Sequence, residues 1–237
     1  MRTIKIAIMA AAVACVSSFS TFAQTAEEVI KKHIDAIGGE AAWKKVNSIK
    51  MEGSINYSGT EVPVTVYMKH KKAMKAEFSY AGMTGYTILT DKAGWVYLPF
   101  GGQTKPEPMT EDDVKKSQED LDVQGKLIDY KAKGFTVTFL GKDDVEGTEC
   151  FKIKVVSPAK KEETMYFDAT NFYHIRSTSK VDMNGKEVEM TQTYSNFKKL
   201  PEGIVWAMNQ DSGNGPMTVK SVEINKTIED AVFAPKN

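Results

Sequence analysis

The chain has 237 residues, and its 31 lysines and arginines balance its 31 aspartates and glutamates, so the formal net charge is zero. A near-neutral chain lacks the basic stripe that a nucleic-acid partner requires, which argues against nucleic-acid binding. The length fits one domain, because β-sandwiches and barrels often reach this size. The sequence shows no linker-like tract and no internal repeat, so we predict a single domain over residues 25–237.

The first 24 residues are predicted to form an export signal peptide. Arg2 and Lys5 give a positive start, residues 6–16 form an apolar core, and residues 21–24 supply a small-residue exit. The apolar run is too short to cross a bilayer as a helix. We therefore expect export from a bacterial cytoplasm, with cleavage near Ala23 or Gln24.

The two cysteines of the chain have different expected fates. Cys15 lies inside the signal, where residues 12–15 weakly resemble a lipoprotein cleavage box with alanine in place of the leading leucine. Lipidation at Cys15 therefore stays an alternative to plain cleavage. Cys150 is then the only cysteine of the mature chain, which excludes an intrachain disulfide. It stands beside Phe151 in a predicted strand, so we interpret it as a small core residue.

The mature chain is predicted to open with a helix that begins after Thr25. Thr25 is a candidate N-cap, and Gly38-Gly39 ends the helix because glycine readily adopts the left-handed closing conformation. Residues 40–45 add one more turn, with Trp43 packing back. The apolar positions recur on one face at helical spacing: Ala26, Val29, Ile30, Ile34 and Ile37.

Short strands follow from residue 49 to residue 98, with apolar side chains at every second position. A loop rich in glycine and proline over residues 99–109 interrupts them. Thr110 then caps a second predicted helix, whose apolar stripe is thin. Such a helix covers the sheet only loosely and could move. The stripe consists of Val114, Leu121, Leu127 and Ile128.

Residues 134–225 predict a meander of strands with the same alternation. Asn184-Gly185 indicates a two-residue hairpin turn, because both residues tolerate positive φ. A change of parity in the last strand predicts a bulge near Lys220. Alternation of this kind is typical of an antiparallel sheet with one solvated face, since parallel strands show unbroken apolar runs. The fold class is therefore α+β, with about eleven strands and helices gathered on one side of the sheet.

Four parts of the mature chain, taken in order, carry a family resemblance. They resemble the LolA-like family (LolA/LolB type) of periplasmic outer-membrane lipoprotein carriers, over most of the mature chain. The parts are Ala26-Glu27-Glu28-Val29-Ile30 through Gly38-Gly39 with residues 49–53; Gly94-Trp95-Val96-Tyr97-Leu98-Pro99; Met165-Tyr166-Phe167-Asp168 with Ile175-Arg176; and Tyr194-Ser195-Asn196-Phe197 with residues 203–204, 223–225 and Phe233.

The resemblance implies a strongly curved antiparallel sheet, an incomplete β-barrel, with helices covering its concave side. It implies a cavity for the acyl chains of lipids or lipoproteins, a periplasmic location in a bacterium with an outer membrane, and membrane donor and acceptor proteins. We expect a monomer.

The sequence departs from the family at one point: better-known carriers have an arginine in an early strand that locks the lid. Here the mature chain has only Arg176, which lies late, so an energy-coupled hand-off is not implied.

Methionines and aromatic residues at the apolar strand positions are the candidate cavity wall. Methionine is unbranched and polarisable, so it accepts varied apolar shapes. The alternative is ordinary core packing under the helices, and the resemblance favours the cavity. The candidate ligand-binding residues are Met51, Ile55, Tyr57, Val64, Met68, Phe78, Tyr80, Trp95, Tyr97, Leu121, Met190, Trp206 and Met208.

The sequence predicts no catalytic residue, no metal site and no cofactor. His33, His70 and His174 are far apart and lack metal-ligand spacing. Acidic residues crowd the second predicted helix, where a solvated face is the interpretation and a calcium or partner site is the alternative. Two other functions stay open: a non-catalytic cell-envelope interaction module with a filled core, and a hydrolase, which would need a polar cluster on the concave side that the sequence does not reveal.

Overall fold

The computed structural model describes residues 25–183, 186–213 and 215–236. The predicted signal peptide with Cys15 and the predicted Asn184-Gly185 turn lie outside these residues. The regular elements are α1 (Ala26–Ala36), α2 (Glu40–Trp43), β1 (Ser48–Tyr57), β2 (Thr60–Lys69), β3 (Ala73–Tyr80), β4 (Met83–Thr90), β5 (Gly94–Tyr97), β6 (Glu107–Pro108), α3 (Glu111–Lys116), β7 (Thr136–Val145), β8 (Thr148–Val156), β9 (Glu162–Asp168), β10 (His174–Met183), β11 (Lys186–Lys199), β12 (Val205–Asp211) and β13 (Pro216–Ile224).

The thirteen strands form one antiparallel sheet in the order β6-β5-β4-β3-β2-β1-β13-β12-β11-β10-β9-β8-β7. The first and last strands meet in the middle, where β1 pairs with β13, and β6 and β7 form two separate edges. The sheet is therefore an incomplete barrel, which confirms the predicted fold class. The predicted loop over residues 99–109 also contributes β6, which pairs with β5 at the edge, where proline is tolerated.

The pairing register places the predicted apolar positions on one face, which we call the inner face. Ile49 lies opposite Met68 and Ile224, and the same face continues to Met165, which lies opposite Ile153. Paired residues point to the same side of a sheet, so one cluster of apolar side chains spans β1, β13, β12, β9, β8 and β7. The alternation predicted from the sequence is confirmed.

A bulge in β13 sits at the predicted place. Glu52 lies opposite Ser221 while the next residue, Gly53, lies opposite Val219, so Lys220 is the extra residue. A Cβ at Gly53 would stand 2.4 Å from the carbonyl oxygen of Thr218. The bulge and the glycine together let β1 and β13 bend closely around the core.

Helix α1 lies on the inner face and begins and ends as predicted. The Thr25 hydroxyl accepts a hydrogen bond from the Glu28 amide at 3.2 Å, and the Glu28 carboxylate accepts one from the Thr25 amide. Gly38 and Gly39 follow the helix with φ of 115° and 86°. Val29 and the neighbouring apolar side chains of the helix are buried against the sheet.

Residues 110–134 form a second cover over the inner face, which we call the cover segment. Thr110 caps α3 as predicted, but the helix ends at Lys116 and a short 3₁₀ turn follows to Leu121. The expected longer helix is therefore wrong. Asp122 adopts an extended conformation and Gly125 has a φ of 78°, and neither conformation continues a helix. The apolar side chains of the stripe are nevertheless buried from irregular backbone.

The outer face of β3–β5 is also covered, by the C-terminal residues 228–233. Ile228 and Phe233 pack there against Tyr86 and Ile88, with Trp95 and Tyr97 beside them. The pairing register of β4 and β5 agrees with this placement, because Trp95 lies opposite Ile88, which is on the outer face. The expectation that Trp95 and Tyr97 line the concave side is therefore wrong: their parity places them on the other face.

Candidate functional site

A partly open cavity of about 430 Å³ lies between the inner face, the cover segment, α2 and the C-terminal end of α1. This volume falls within the ~300–1,000 Å³ of small-molecule pockets. The cavity runs across the strands from β2 to β9, so its two sides are built from different parts of the sheet. Its lining residues are His33, Ile34, Ile37, Trp43, Ile49, Met68, residues 122–128, Glu163, Met165, His174, Gln192, Tyr194 and Trp206.

The side of the cavity formed by β1, β2 and β12 is apolar. The rings of Trp43 and Trp206 stack with centroids 6.2 Å apart, one from α2 and one from the sheet. The Trp43 indole donates a hydrogen bond to the carbonyl oxygen of Ile37 at 3.0 Å, which fixes α2 against the end of α1. Ile49 and Met68 lie opposite each other and complete this wall.

The side formed by β9, β10 and β11 is polar. Glu163, Gln192 and Tyr194 project from inner-face positions of β9 and β11, where alternation would place apolar residues. Lys126 reaches down from the cover segment and forms an ion pair with Glu163. Burial, reinforced by the Glu163 carboxylate, raises the pKa of Tyr194 to about 12, so its hydroxyl stays protonated.

Two histidines lie buried where α1 meets β10. The ring centroids of His33 and His174 are 6.4 Å apart. Burial lowers the pKa of His33 to about 4, although its hydrogen bond to the Phe172 carbonyl opposes the shift. Burial, and then the neighbouring His33, lower the pKa of His174 to about 3. Both rings are therefore neutral at physiological pH and add no positive charge to the cavity.

The contact between Ser177 and His174 has the spacing of a nucleophile and its base, with Oγ 3.0 Å from Nε2. The same Nε2 lies 2.9 Å from the carbonyl oxygen of Arg176, which only accepts hydrogen bonds. Nε2 therefore carries the proton and cannot take another from the hydroxyl. Ser177 is also buried and does not line the cavity. The pair is better explained as a structural contact than as a catalytic dyad.

Polar contacts fasten the cover segment around the cavity. The Gln124 amide donates to the carbonyl oxygens of Lys44 and Val46, at 3.2 and 3.3 Å. Lys133 and Asp122 form an ion pair of 2.6 Å in which both side chains are largely buried. The Gln124 contacts tie the cover segment to the end of α2, the Lys126–Glu163 pair ties it to the sheet, and the Asp122–Lys133 pair joins two parts of the segment to each other.

The structure places two of the thirteen predicted wall residues, Met68 and Trp206, at the cavity. Met51 and Met208 belong to the packed core, and Leu121 packs with Leu89 and Val114 on the inner face of β4. The other strand residues lie on the inner face but outside this cavity, and two of them are well exposed: Tyr57 at 58% and Tyr80 at 38%. Those others are Ile55, Tyr57, Val64, Phe78, Tyr80 and Met190.

Sequence reasoning missed the polar side of the cavity. The sequence did contain a signal for it. Gln192 lies on the same strand face as Met190 and Tyr194, and it is a polar residue at a position where the alternation predicts an apolar one. Lys126 could not be found in the same way, since it projects from irregular backbone with no period. The convergent polar cluster that the sequence did not reveal is thus a feature of the structure.

Other features of the described residues carry less chemistry. A surface depression of about 780 Å³ beside the ends of β9 and β10 is larger, but charged and hydroxyl side chains dominate its lining. Within the described residues, no group of three potential metal ligands comes together, and no helix has the length and apolarity needed to cross a membrane.

Cys150 is fully buried, and burial raises the pKa of its thiol to about 11, which fits a core role. Arg176 lies over the ring of Tyr166, on the outer face.

Comparison with known proteins identifies the fold. Neither a protein-family model nor a curated protein matches the sequence. Among solved structures, a LolA superfamily protein from Nitrosomonas europaea is similar at a TM-score of 0.56 and 12% identity, covering 90% of this chain and 98% of that one. A Vibrio parahaemolyticus domain provisionally named as an outer membrane lipoprotein-sorting protein has a TM-score of 0.54 and 14% identity. The match covers 87% of this chain and 94% of that domain. A DUF1329 family protein from Desulfovibrio piger has a TM-score of 0.53 and 16% identity. The match covers 86% of this chain and 97% of that one. The chain therefore has the fold of LolA superfamily proteins.

Proposed function

We propose that the protein is an exported, non-enzymatic carrier that shelters the acyl chain of a lipid or lipoprotein in the cavity under the cover segment. The observation that supports this most directly is the cavity of about 430 Å³ beside Trp43, Trp206 and Met68. The similar Vibrio parahaemolyticus structure is named for outer-membrane lipoprotein sorting, which also supports a carrier.

The energetics suit a carrier. Burying an acyl chain is worth about 0.8 kcal/mol per methylene, and a bilayer offers the same gain. A carrier therefore has to match the bilayer rather than exceed it, and an apolar wall beneath a loosely structured cover does so. Movement of the cover segment would then release the guest without any chemical step.

The proposed function also implies a location, an oligomeric state, partners and a cargo. The protein would work in the periplasm of a bacterium with an outer membrane, as a monomer that meets donor and acceptor proteins at the two membranes. Its cargo would be the acyl chains of lipids or lipoproteins. The alternative function, a non-catalytic interaction module, requires a filled interior. The cavity argues against this alternative.

The test is to purify the protein after export in a bacterium with an outer membrane and to search extracts for bound lipid by mass spectrometry. Displacement of a fluorescent fatty acid from the emptied protein then gives an affinity. We expect lipid in the extract and saturable displacement. A protein that purifies empty and also ignores the probe would refute the carrier function.

A matched pair of variants ties any binding to this cavity. Met68→Trp places a bulky ring in the cavity from the inner face, and we expect at least a tenfold loss of probe affinity. Thr164→Trp places the same ring on the outer face of β9, next to Met165, and should leave affinity unchanged. Equal effects of the two variants would show that the probe binds elsewhere.

A further inference from the structure

The two sides of the cavity differ in chemistry, and the difference bears on the head group of the guest. This inference rests on the proposed carrier function and sharpens it. An acyl chain alone would match the side formed by Trp43, Ile49 and Met68. It would leave the Gln192 amide facing hydrocarbon on the other side, where a polar group without a partner is costly, whereas the Tyr194 hydroxyl already bonds Ser177.

The charges around the cavity are already balanced. Among the described lining residues, Lys126 is the only lysine or arginine, and it pairs with Glu163. Asp122 pairs with Lys133, and both histidines are neutral at physiological pH. An anionic head group would therefore find no unpaired cation, and a buried charge without a partner is strongly unfavourable.

Uncharged hydrogen-bonding groups are available on the polar side. The Gln192 amide supplies two donors and one acceptor, and the Tyr194 hydroxyl, which also bonds Ser177, can still form one further hydrogen bond. Lys126 is 41% exposed, so this side of the cavity reaches the surface, whereas Trp43 on the apolar side is 8% exposed. A guest would thus keep its polar end near the mouth at Lys126 and its chain deeper, against the tryptophans.

The volume limits the guest to one chain. At about 30 Å³ for a group the size of a water molecule, the 430 Å³ of the cavity holds about fourteen such groups. A methylene is of similar size. One medium-length acyl chain fits this space when its head group lies at the open mouth, and two such chains do not.

We propose that the cavity selects a single-chain amphiphile whose head group is uncharged and bears hydroxyl or ester oxygens, of the monoacylglycerol type. The head would lie among Lys126, Glu163, Gln192 and Tyr194. The chain would lie between the stacked tryptophans and the Ile49–Met68 wall.

Tryptophan fluorescence provides the readout, because two of the three tryptophans line the cavity and the third, Trp95, lies on the outer face. In a Trp95→Phe background, titration would compare monomyristin, myristate at pH 8, methyl myristate and dimyristoylglycerol. We expect monomyristin to bind at least tenfold more tightly than each of the other three. Gln192→Leu should remove its advantage over methyl myristate.

Glu163→Gln gives a test by gain of binding. It frees the Lys126 ammonium, so myristate affinity should rise about tenfold while monomyristin affinity changes little. The control is Glu149→Gln, which breaks the exposed Lys142–Glu149 pair on another part of the molecule and should change neither affinity. Thermal melts of both variants establish that each remains folded.

The outcomes separate this inference from the carrier function. Binding of all four lipids with equal affinity, tightest binding of myristate by the unmodified protein, or no gain in Glu163→Gln would overturn the head-group selectivity and leave a carrier. No binding of any lipid by a protein that also purifies empty would overturn both.

Discussion

The space between the sheet and its covers contains two regions that differ in packing. Under α1, Val29, Ile153 and Phe167 have no exposed surface, and the His33 ring meets Phe167 edge-on at 4.9 Å. Under residues 122–128, the cavity of about 430 Å³ remains. The same sheet therefore supports a filled core at one place and an unfilled one beside it.

The difference follows from the covers rather than from the sheet. A capped helix presents a regular apolar face that interdigitates with strand side chains. The cover segment has irregular backbone, and polar contacts such as Lys126–Glu163 hold it to the sheet. We infer that α1 stabilises the fold, whereas the cover segment leaves a volume unfilled, and we expect it to open at lower cost.

The largest expected effect contrasts truncations in the two regions. Phe167→Ala should lower the free energy of unfolding by about 3–5 kcal/mol, because it leaves a cavity in a rigid core. Met68→Ala, at the wall of the existing cavity, should cost less than about 2 kcal/mol, below the range for a fully packed methionine. Urea denaturation measures both, and equal losses would show that the two regions are packed alike.

The buried histidines predict a pH dependence of the filled region. The pKa of His33 is lowered to about 4, so between the ordinary value of 6.5 and pH 4 the unfolded chain binds a proton that the folded chain does not. Stability should be highest above pH 6.5, fall by about 3 kcal/mol towards pH 4 through this residue, and then level off. His174 should extend the loss to lower pH.

Urea midpoints between pH 7 and pH 4 check this prediction. His33→Asn keeps a donor for the Phe172 carbonyl but removes the titrating ring, so its pH profile should be flatter. An unchanged slope in the variant would assign the dependence to other groups.

A smaller effect is expected at the ion pair inside the cover segment. Asp122→Asn leaves the largely buried Lys133 without its charged partner and should ease local unfolding of the segment by about 2 kcal/mol. Amide hydrogen exchange should become faster in residues 121–128 and stay unchanged in α1. Faster exchange in both would mean that the covers open together.

The smallest effect concerns the start of α1. Thr25→Ala removes the acceptor for the Glu28 amide and should cost about 1 kcal/mol. Thr25→Ser keeps the hydroxyl and serves as the control in the same thermal melt. We expect no change in lipid affinity from either variant, because the cap lies outside the cavity. A loss of affinity would show that α1 and the cavity are coupled.

Much of the fold could be predicted because its signals are local. The cap at Thr25, the glycines after α1, the alternation of Val137 and Phe139 with Thr138 and the bulge at Lys220 each depend on a few neighbouring residues. The second helix was predicted too long because an apolar stripe was read as continuous, although Asp122 and Gly125 interrupt the helical backbone.

The sequence by itself determined which residues can alternate between two faces, where the first helix starts and stops, and that the sheet is antiparallel. The tertiary structure alone decided which apolar face is inner and which is covered by the C-terminal residues, as Trp95 illustrates. It also decided that Lys126 meets Glu163 beside an unfilled volume. The physical reason is that periodicity records only whether a side chain avoids water, whereas a cavity depends on how distant segments fill space together.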